Sequence, residues 1–372
     1  MKKDKNRRIF VVSSVFLCIF IYYLFFSDNF IRNIEEFPYF PNEHVNNALM
    51  KYFTLSPVKS VTILTGSYKC GKSSTLRNIS DVLRAKSRLV IDFDIKGIQT
   101  PEQFFQGFKL SVWSSLVKLQ PYLKNDLRKL GTKSQNSGLE GILSDIYGSI
   151  SKILDQSYEN DHVSLIGVSS MMDIFEKMKD SLKPIIIFYN SDAIFDNAFV
   201  EVLNAFKSQL IRRNQYFHSL PIVLEVKDSY IVHTLVNDGY QAGLFDEIRV
   251  QELNNTNIDY LVNNFYFKPR EMRYIKQMFG HHPGFISAIY HDLVLGLSIE
   301  QAISRQINIL QNNLPIKNQP NLKKQLCKKH KIYIPSYLIA DEHVQLLRSG
   351  VCHIDGNMSI VLSSGSFKRV IC

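Results

Sequence analysis

VKSVTILTGSYKCGKS, residues 58–73, decides how this chain folds. Its first half, Val58 to Thr65, is apolar and β-branched, as a strand buried on both faces must be. Its second half fits the pattern GxxxxGK[ST], with Gly66, Gly71, Lys72 and Ser73 at the fixed positions. The run from Ser73 to Lys86 reads as a helix. Strand, loop and helix in this order make a phosphate cradle: the glycines let the backbone wrap closely, and N–H groups at a helix N-terminus point at the anion. An ordinary glycine-rich turn would explain the loop without its flanking strand and helix. The candidate binding residues are therefore the loop Gly66, Ser67, Tyr68, Lys69, Cys70, Gly71, Lys72 and Ser73, with Ser74 beyond it. Lys72 would reach the β- and γ-phosphates of a nucleotide, and the Ser73 hydroxyl would sit on Mg²⁺.

Working outward, RLVIDFDI (88–95), PIIIFY (184–189) and PIVLEV (221–226) are further continuous apolar runs of strand length. Helical segments separate them, at Gln103 to Leu123, Met171 to Ser181 and Phe199 to Arg213. Such alternation predicts a doubly wound α/β parallel sheet over residues 58–250, with a Gly/Ser/Asn-rich insertion at about 131–170. After Val250 the strand signals fade and helical periodicity takes over, predicting a small helical domain over 251–314. Residues 320–372 carry helices and a hairpin-like end, Val351 to Ile354 and Met358 to Leu362 around Asp355-Gly356-Asn357, the outline of a winged-helix-like domain.

A nucleotide-hydrolysing site of this kind needs an acid at the end of a second apolar strand, to hold the water shell of the metal, and a neighbour to polarise the attacking water. PIIIFY ends instead in Asn190-Ser191-Asp192. Asn190 takes the metal-side place and Ser191 that of the catalytic acid. An asparagine accepts a hydrogen bond from a metal-bound water but brings no charge, so weakened hydrolysis is expected. Asp192 could substitute for it or could cap a helix, and Asp92 or Asp94 could assist from the preceding strand. On the next strand, Glu225 and Lys227 stand where a γ-phosphate could be sensed, Lys227 being the better candidate. Arg212 and Arg213 read equally as an arginine finger or as cations at a helix C-terminus.

The P-loop, VIDFD, PIIIFYNSD, PIVLEVKDS and Gly280-His281-His282-Pro283 together resemble the STAND-type NTPases, most of all the archaeal-type ATPase branch of the AAA-like superfamily, over about residues 45–370. The resemblance implies ATP and Mg²⁺ as ligands, Lys227 in the place of an arginine, residues 251–314 as a helical lid whose turn packs Pro283 by the adenine, and a winged-helix end. Asn190 and Ser191 depart from the family at the hydrolytic positions, so the resemblance implies binding more firmly than turnover.

IFVVSSVFLCIFIYYLFF, residues 9–26, carries no charge for 18 residues, enough at helical rise to cross a bilayer. It predicts one transmembrane helix at 9–27, after a basic tail (1–8) and before a juxtamembrane linker and helix (28–57). Lys2, Lys3, Lys5, Arg7 and Arg8 precede it while Asp28, Glu35 and Glu36 follow, which puts the N-terminus on the cytosolic or matrix side. The mitochondrial inner membrane and the endoplasmic reticulum both fit.

The formal charge is +10, of which the first eight residues hold +4. The remaining mild excess is weak evidence for nucleic acid as a partner, and a C-terminal domain that reads nucleic acid on a membrane tether is the lesser alternative to a nucleotide switch. The basic run Lys323, Lys324, Lys328, Lys329 and Lys331 reads first as a solvated face. A protein partner for the C-terminal domain is expected, with homo-oligomerisation left open. The five cysteines show neither paired nor metal-ligand spacing and are expected to be free thiols.

Overall fold

The computed structural model describes residues 32–54, 60–129, 183–195, 220–227, 245–313, 320–329, 331–333, 341–349, 352–354 and 359–362, with single positions 148, 175, 367 and 371. The expected membrane span lies outside the described residues, as do Arg212, Arg213 and nearly all of the insertion. Among the described residues no helix is long and apolar enough to cross a membrane.

Five parallel strands form the central sheet: β1 (Val61–Thr65), β2 (Val90–Asp94), β3 (Ile185–Tyr189), β4 (Ile222–Glu225) and β5 (Phe245–Arg249), in the order β2-β3-β4-β1-β5. The strand that feeds the glycine loop is thus flanked by β4 and β5, and β3 lies one strand further away. Thr62 pairs in register with Val223 and Leu64 with Glu225.

Alternation along the strands builds two cores. Ile63, Ile91, Ile186, Phe188, Ile222 and Leu224 face one side and meet α3 (Pro101–Lys129) through Phe104, Phe108, Val112, Leu116 and Leu119. Leu64, Val90, Ile185, Ile187 and Val223 face the other, against α1 (Glu43–Thr54) and α2 (Lys72–Ala85). Every residue of β3 is buried, and each such side chain withdrawn from water contributes roughly 1.5–3 kcal/mol. The sheet is therefore wound on both faces, as its apolar runs predict. Tyr52 of α1 locks the arrangement, its hydroxyl donating to the Ser60 carbonyl at 2.7 Å and accepting from the Ile222 amide at 3.0 Å.

Four helices follow the sheet: α4 (Asn255–Asn263), α5 (Pro269–Phe279), α6 (Pro283–Val294) and α7 (Ile299–Asn313). Asn254 caps α4, and Pro269 and Pro283 open α5 and α6, where a missing N–H costs nothing. Then come α8 (Pro320–Lys329), β6 (Lys331–Tyr333), α9 (Asp341–Arg348), β7 (Cys352–Ile354) and β8 (Ser359–Leu362). These three strands form an antiparallel sheet in the order β6-β8-β7. One hydrophobic cluster runs from Ile258 and Phe267, in the helical stretch after the sheet, through Leu326 and Leu346 to Phe367 and Ile371. On α8, Leu322 and Leu326 are buried while Lys323, Lys324 and Lys328 are exposed, so these lysines do form a solvated face.

Cys70 and Cys352 are free thiols. Cys327 is disulfide-bonded, which corrects the expectation of free thiols: spacing along a chain does not report proximity in space.

Candidate functional site

The loop after β1 adopts the wrapped form that its glycines permit. Gly66 has φ 153°, Lys69 58° and Gly71 97°. A Cβ on Gly66 would come 2.5 Å from the Cys70 sulfur and 3.1 Å from the Val250 carbonyl oxygen, so only glycine fits there. Lys72 is buried beneath the loop, its Nζ donating to the carbonyls of Gly66 at 2.8 Å and Ser67 at 3.1 Å. Ser73 Oγ donates to Glu225 Oε1 at 2.6 Å. Burial raises the Glu225 carboxyl above its ordinary range, opposed by the Ser73 hydrogen bond and by the Lys72 and Lys227 charges. Burial also pushes the Cys70 thiol up, outweighing the Lys72 charge, which removes the physical basis for a reactive loop thiolate.

The ends of β2 and β3 are tied to one another. Asn190, at φ 51°, donates its amide nitrogen to Asp94 Oδ1 at 2.8 Å. Ser191 is buried and returns its hydroxyl to the Phe188 carbonyl at 2.9 Å. Asp192 accepts from the Lys227 backbone amide at 2.9 Å. Asp92 is ion-paired with Arg84 and accepts from Ser80 at 2.9 Å and Tyr189 at 3.3 Å. The side chains of Asn190, Asp192 and Asp92 are thus engaged in joining elements of the core, while the Ser73 hydroxyl is held by Glu225.

A cleft of about 430 Å³ is lined by the loop from Tyr68 to Ser74, by Glu225 and Lys227, and by Gly284, Ser287 and His291 of α6. Positions 284, 287 and 291 share one helical face, so α6 roofs the cleft with a single stripe. A larger space of about 1100 Å³ adjoins it, sharing Lys69, Gly71 and Ser74 and lined also by Pro283, Val250, Asn257 and the segment from Glu36 to His44. Loop, Ser73, Lys227 and Pro283, expected from sequence, therefore come together around one continuous opening.

The roof is seated directly on the loop. His282, the residue before α6, is fully buried and shares a hydrogen bond of 3.2 Å between its Nε2 and Ser67 Oγ. Burial lowers its pKa to about 3, so the ring is neutral. His281 instead contacts the Leu253 carbonyl through Nδ1 at 3.0 Å. Both histidines are turn residues, and among the described residues no cluster of three or more metal-ligating side chains occurs.

Three contributions were missed at the level of sequence. Glu225, expected only as a possible γ-phosphate sensor, is instead the acid that meets Ser73. Gly284 gives α6 its close approach to the loop. The segment 32–44, read as a linker, is a wall of the opening: Arg32 pairs with Glu271 at 2.8 Å, Tyr290 donates to the Asn33 carbonyl at 2.6 Å, and Phe37 packs edge-on to Tyr266. The crowding of Phe37, Tyr39 and Phe40 is a signal that a solvated linker does not carry.

No family model matches the chain, and no curated protein does. Among solved structures, a Walker-type ATPase of Pyrococcus abyssi superposes with a TM-score of 0.55 over 90% of this chain and 96% of that one. The chain has the P-loop NTPase fold. At 13% identity the likeness is one of architecture alone.

Proposed function

We propose that the protein is an ATP-binding switch with weakened hydrolysis, acting in signalling or assembly. The observation that carries this reading is the continuous opening between the glycine loop and α6, with Lys72 and Ser73 on its floor and Pro283 at its rim. Triphosphate would lie along the loop N–H groups, displacing Lys72 Nζ from the Gly66 and Ser67 carbonyls toward the phosphates. The base would lie in the larger space against Pro283. Mg²⁺ supplies charge neutralisation between the β- and γ-phosphates when bound. Ser73 fits it as an oxygen ligand, and the buried Glu225 Oε2, without a well-formed hydrogen bond, fits an oxygen-lined cation site. The lid, of STAND or AAA type, would transmit occupancy to the C-terminal domain and its protein partner. A winged-helix domain accords with the helix, strand and hairpin order at 320–362. The 9–26 run would anchor the switch in a membrane, N-terminus toward cytosol or matrix.

A pseudo-ATPase scaffold is the second reading, favoured by the engagement of Asn190 and Ser191 in core hydrogen bonds. Binding and turnover of ATP by the full-length chain, beside Lys72→Ala, separate the two. Binding that depends on Lys72 supports the switch. Equal and negligible binding by both proteins supports the scaffold.

A further inference from the structure

The carboxylate expected at the end of β3 is absent, yet the Ser73 hydroxyl is not without an acid. A serine that ligates a cation gives the metal a lone pair and has its proton left to donate. In this chain that proton goes to Glu225 Oε1, at 2.6 Å. The second oxygen, Oε2, is buried without a well-formed hydrogen bond, the Asn190 backbone amide acting on the carboxyl as a weaker donor. A buried carboxylate oxygen with no strong donor is costly unless a ligand supplies one, and water on a cation beside Ser73 would do so.

Topology explains how β4 can supply this group. Leu64 is in register with Glu225, so β4 is the direct neighbour of the strand that feeds the loop, whereas β3 stands a further strand away, roughly another 4.8 Å. Alternation then selects the face. Val223 points into the core shared with α2, and Ile222 and Leu224 into the opposite one. Glu225 therefore emerges on the α2 side, where Ser73 opens the helix. Asn190 has a shorter side chain on the more distant strand and is bonded to Asp94.

Resting on the nucleotide reading, we propose that Glu225 is the metal-side carboxylate of this site: Ser73 ligates the divalent cation of a Mg–nucleotide complex, and Glu225 receives the Ser73 proton and the cation's water. The acidic function has moved from the end of β3 to the end of β4. Glu225 acts through Ser73 and water, and so is a positioning residue.

The test is binding of a fluorescent ATP analogue to the full-length chain in detergent, in EDTA and in Mg²⁺, with Mn²⁺ followed by electron paramagnetic resonance as a direct count of bound cation. In wild type, Mg²⁺ tightens nucleotide binding. Glu225→Gln keeps the EDTA affinity, loses most of the Mg²⁺ enhancement and binds Mn²⁺ about tenfold more weakly, as loss of one charge-assisted contact predicts. Glu225→Asp, which retains the charge, keeps part of both. Asn190→Ala retains the full enhancement. The proposal is overturned if Glu225→Gln responds to Mg²⁺ like wild type, if Asn190→Ala is the variant that loses the response, or if Glu225→Gln weakens EDTA and Mg²⁺ binding equally, since the carboxyl then only shapes the loop. Failure of wild type itself to bind nucleotide would strike the nucleotide reading first, and would be told apart by appearing without any substitution.

Discussion

Gly284, in the first turn of α6, stands so close to Lys69 that a Cβ on it would lie 2.4 Å from both the Lys69 carbonyl oxygen and its Cβ. The contact is with backbone, which cannot swing aside, so even one added methyl must push α6 off the loop. Gly284→Ala should lower nucleotide affinity by about tenfold, since about 1.4 kcal/mol of lid-closing energy is one decade. Gly284→Val should lower it further. Amide hydrogen exchange along residues 283–294 would check this, with faster exchange expected in both variants.

Lys72 is held by loop carbonyls and not by a direct ion pair, and the buried Glu225 carboxyl that feels its charge keeps the Ser73 hydrogen bond and the Lys227 charge when it is removed. Lys72→Ala should fold with nearly wild-type stability yet show no thermal stabilisation by ATP. Wild type at a hundredfold excess over Kd gains about 2.7 kcal/mol by mass action. Differential scanning calorimetry with and without ATP measures both quantities.

His282 ties stability to pH. Its folded pKa of about 3 lies below the ordinary value of 6.5, so the unfolded chain binds the extra proton in that interval. The contribution of a neutral His282 is complete above pH 6.5 and is lost as pH falls toward 3, at up to about 1.4 kcal/mol per pH unit for one proton. His282→Gln, which can keep the bond to Ser67 but does not titrate, should flatten urea-unfolding stability between pH 6.5 and 5. An unchanged slope in that variant would assign the effect elsewhere.

Arg84 and Asp92 form a largely buried pair, their side chains 7% and 19% exposed. Asp92→Ala takes from Ser80 and Tyr189 their carboxylate acceptor and leaves the Arg84 guanidinium only Asp81, at 3.2 Å, and the Val90 carbonyl, at 3.4 Å; it should cost about 1–3 kcal/mol. Nucleotide affinity should hardly change, because Asp92 lies outside the cleft. Urea denaturation beside the nucleotide titration separates the two effects.

The strands β1 to β4, the glycine loop and the four lid helices could be read from the sequence because each is a local pattern: an apolar run, a fixed spacing or a 3.6 period. β5 could not. Its FDEIR sequence is half-exposed at the edge of the sheet, and Asp246 and Glu247 serve as acceptors for Ser60 and Thr65 across to the β1 side, so it lacks the apolar run that marks a buried strand. The site was legible in its loop and in Pro283 but not in its acid. Asn190 is the position chain order suggests, and the choice of Glu225 depends on β4 lying between β3 and β1, a fact of strand order that sequence order does not contain. The wall at residues 32–44 was obscured for a similar reason: Arg32 meets Glu271, 239 positions away.

The hydrophobic cluster that joins the lid to Phe367 and Ile371 also takes in Phe37 and Phe40. Segments 32–40 and 320–371 are thereby joined to one lever, and the parallel sheet with α1 forms the other arm, with Pro41–Asn42 and Val250 to Asn254 as the two short spans between them. If the cleft opens without breaking that core, the sheet swings while whatever is held through residues 32–40 and whatever is grasped by residues 320–371 keep a constant separation. The moving part, seen from either attachment, would be the nucleotide-bearing half itself.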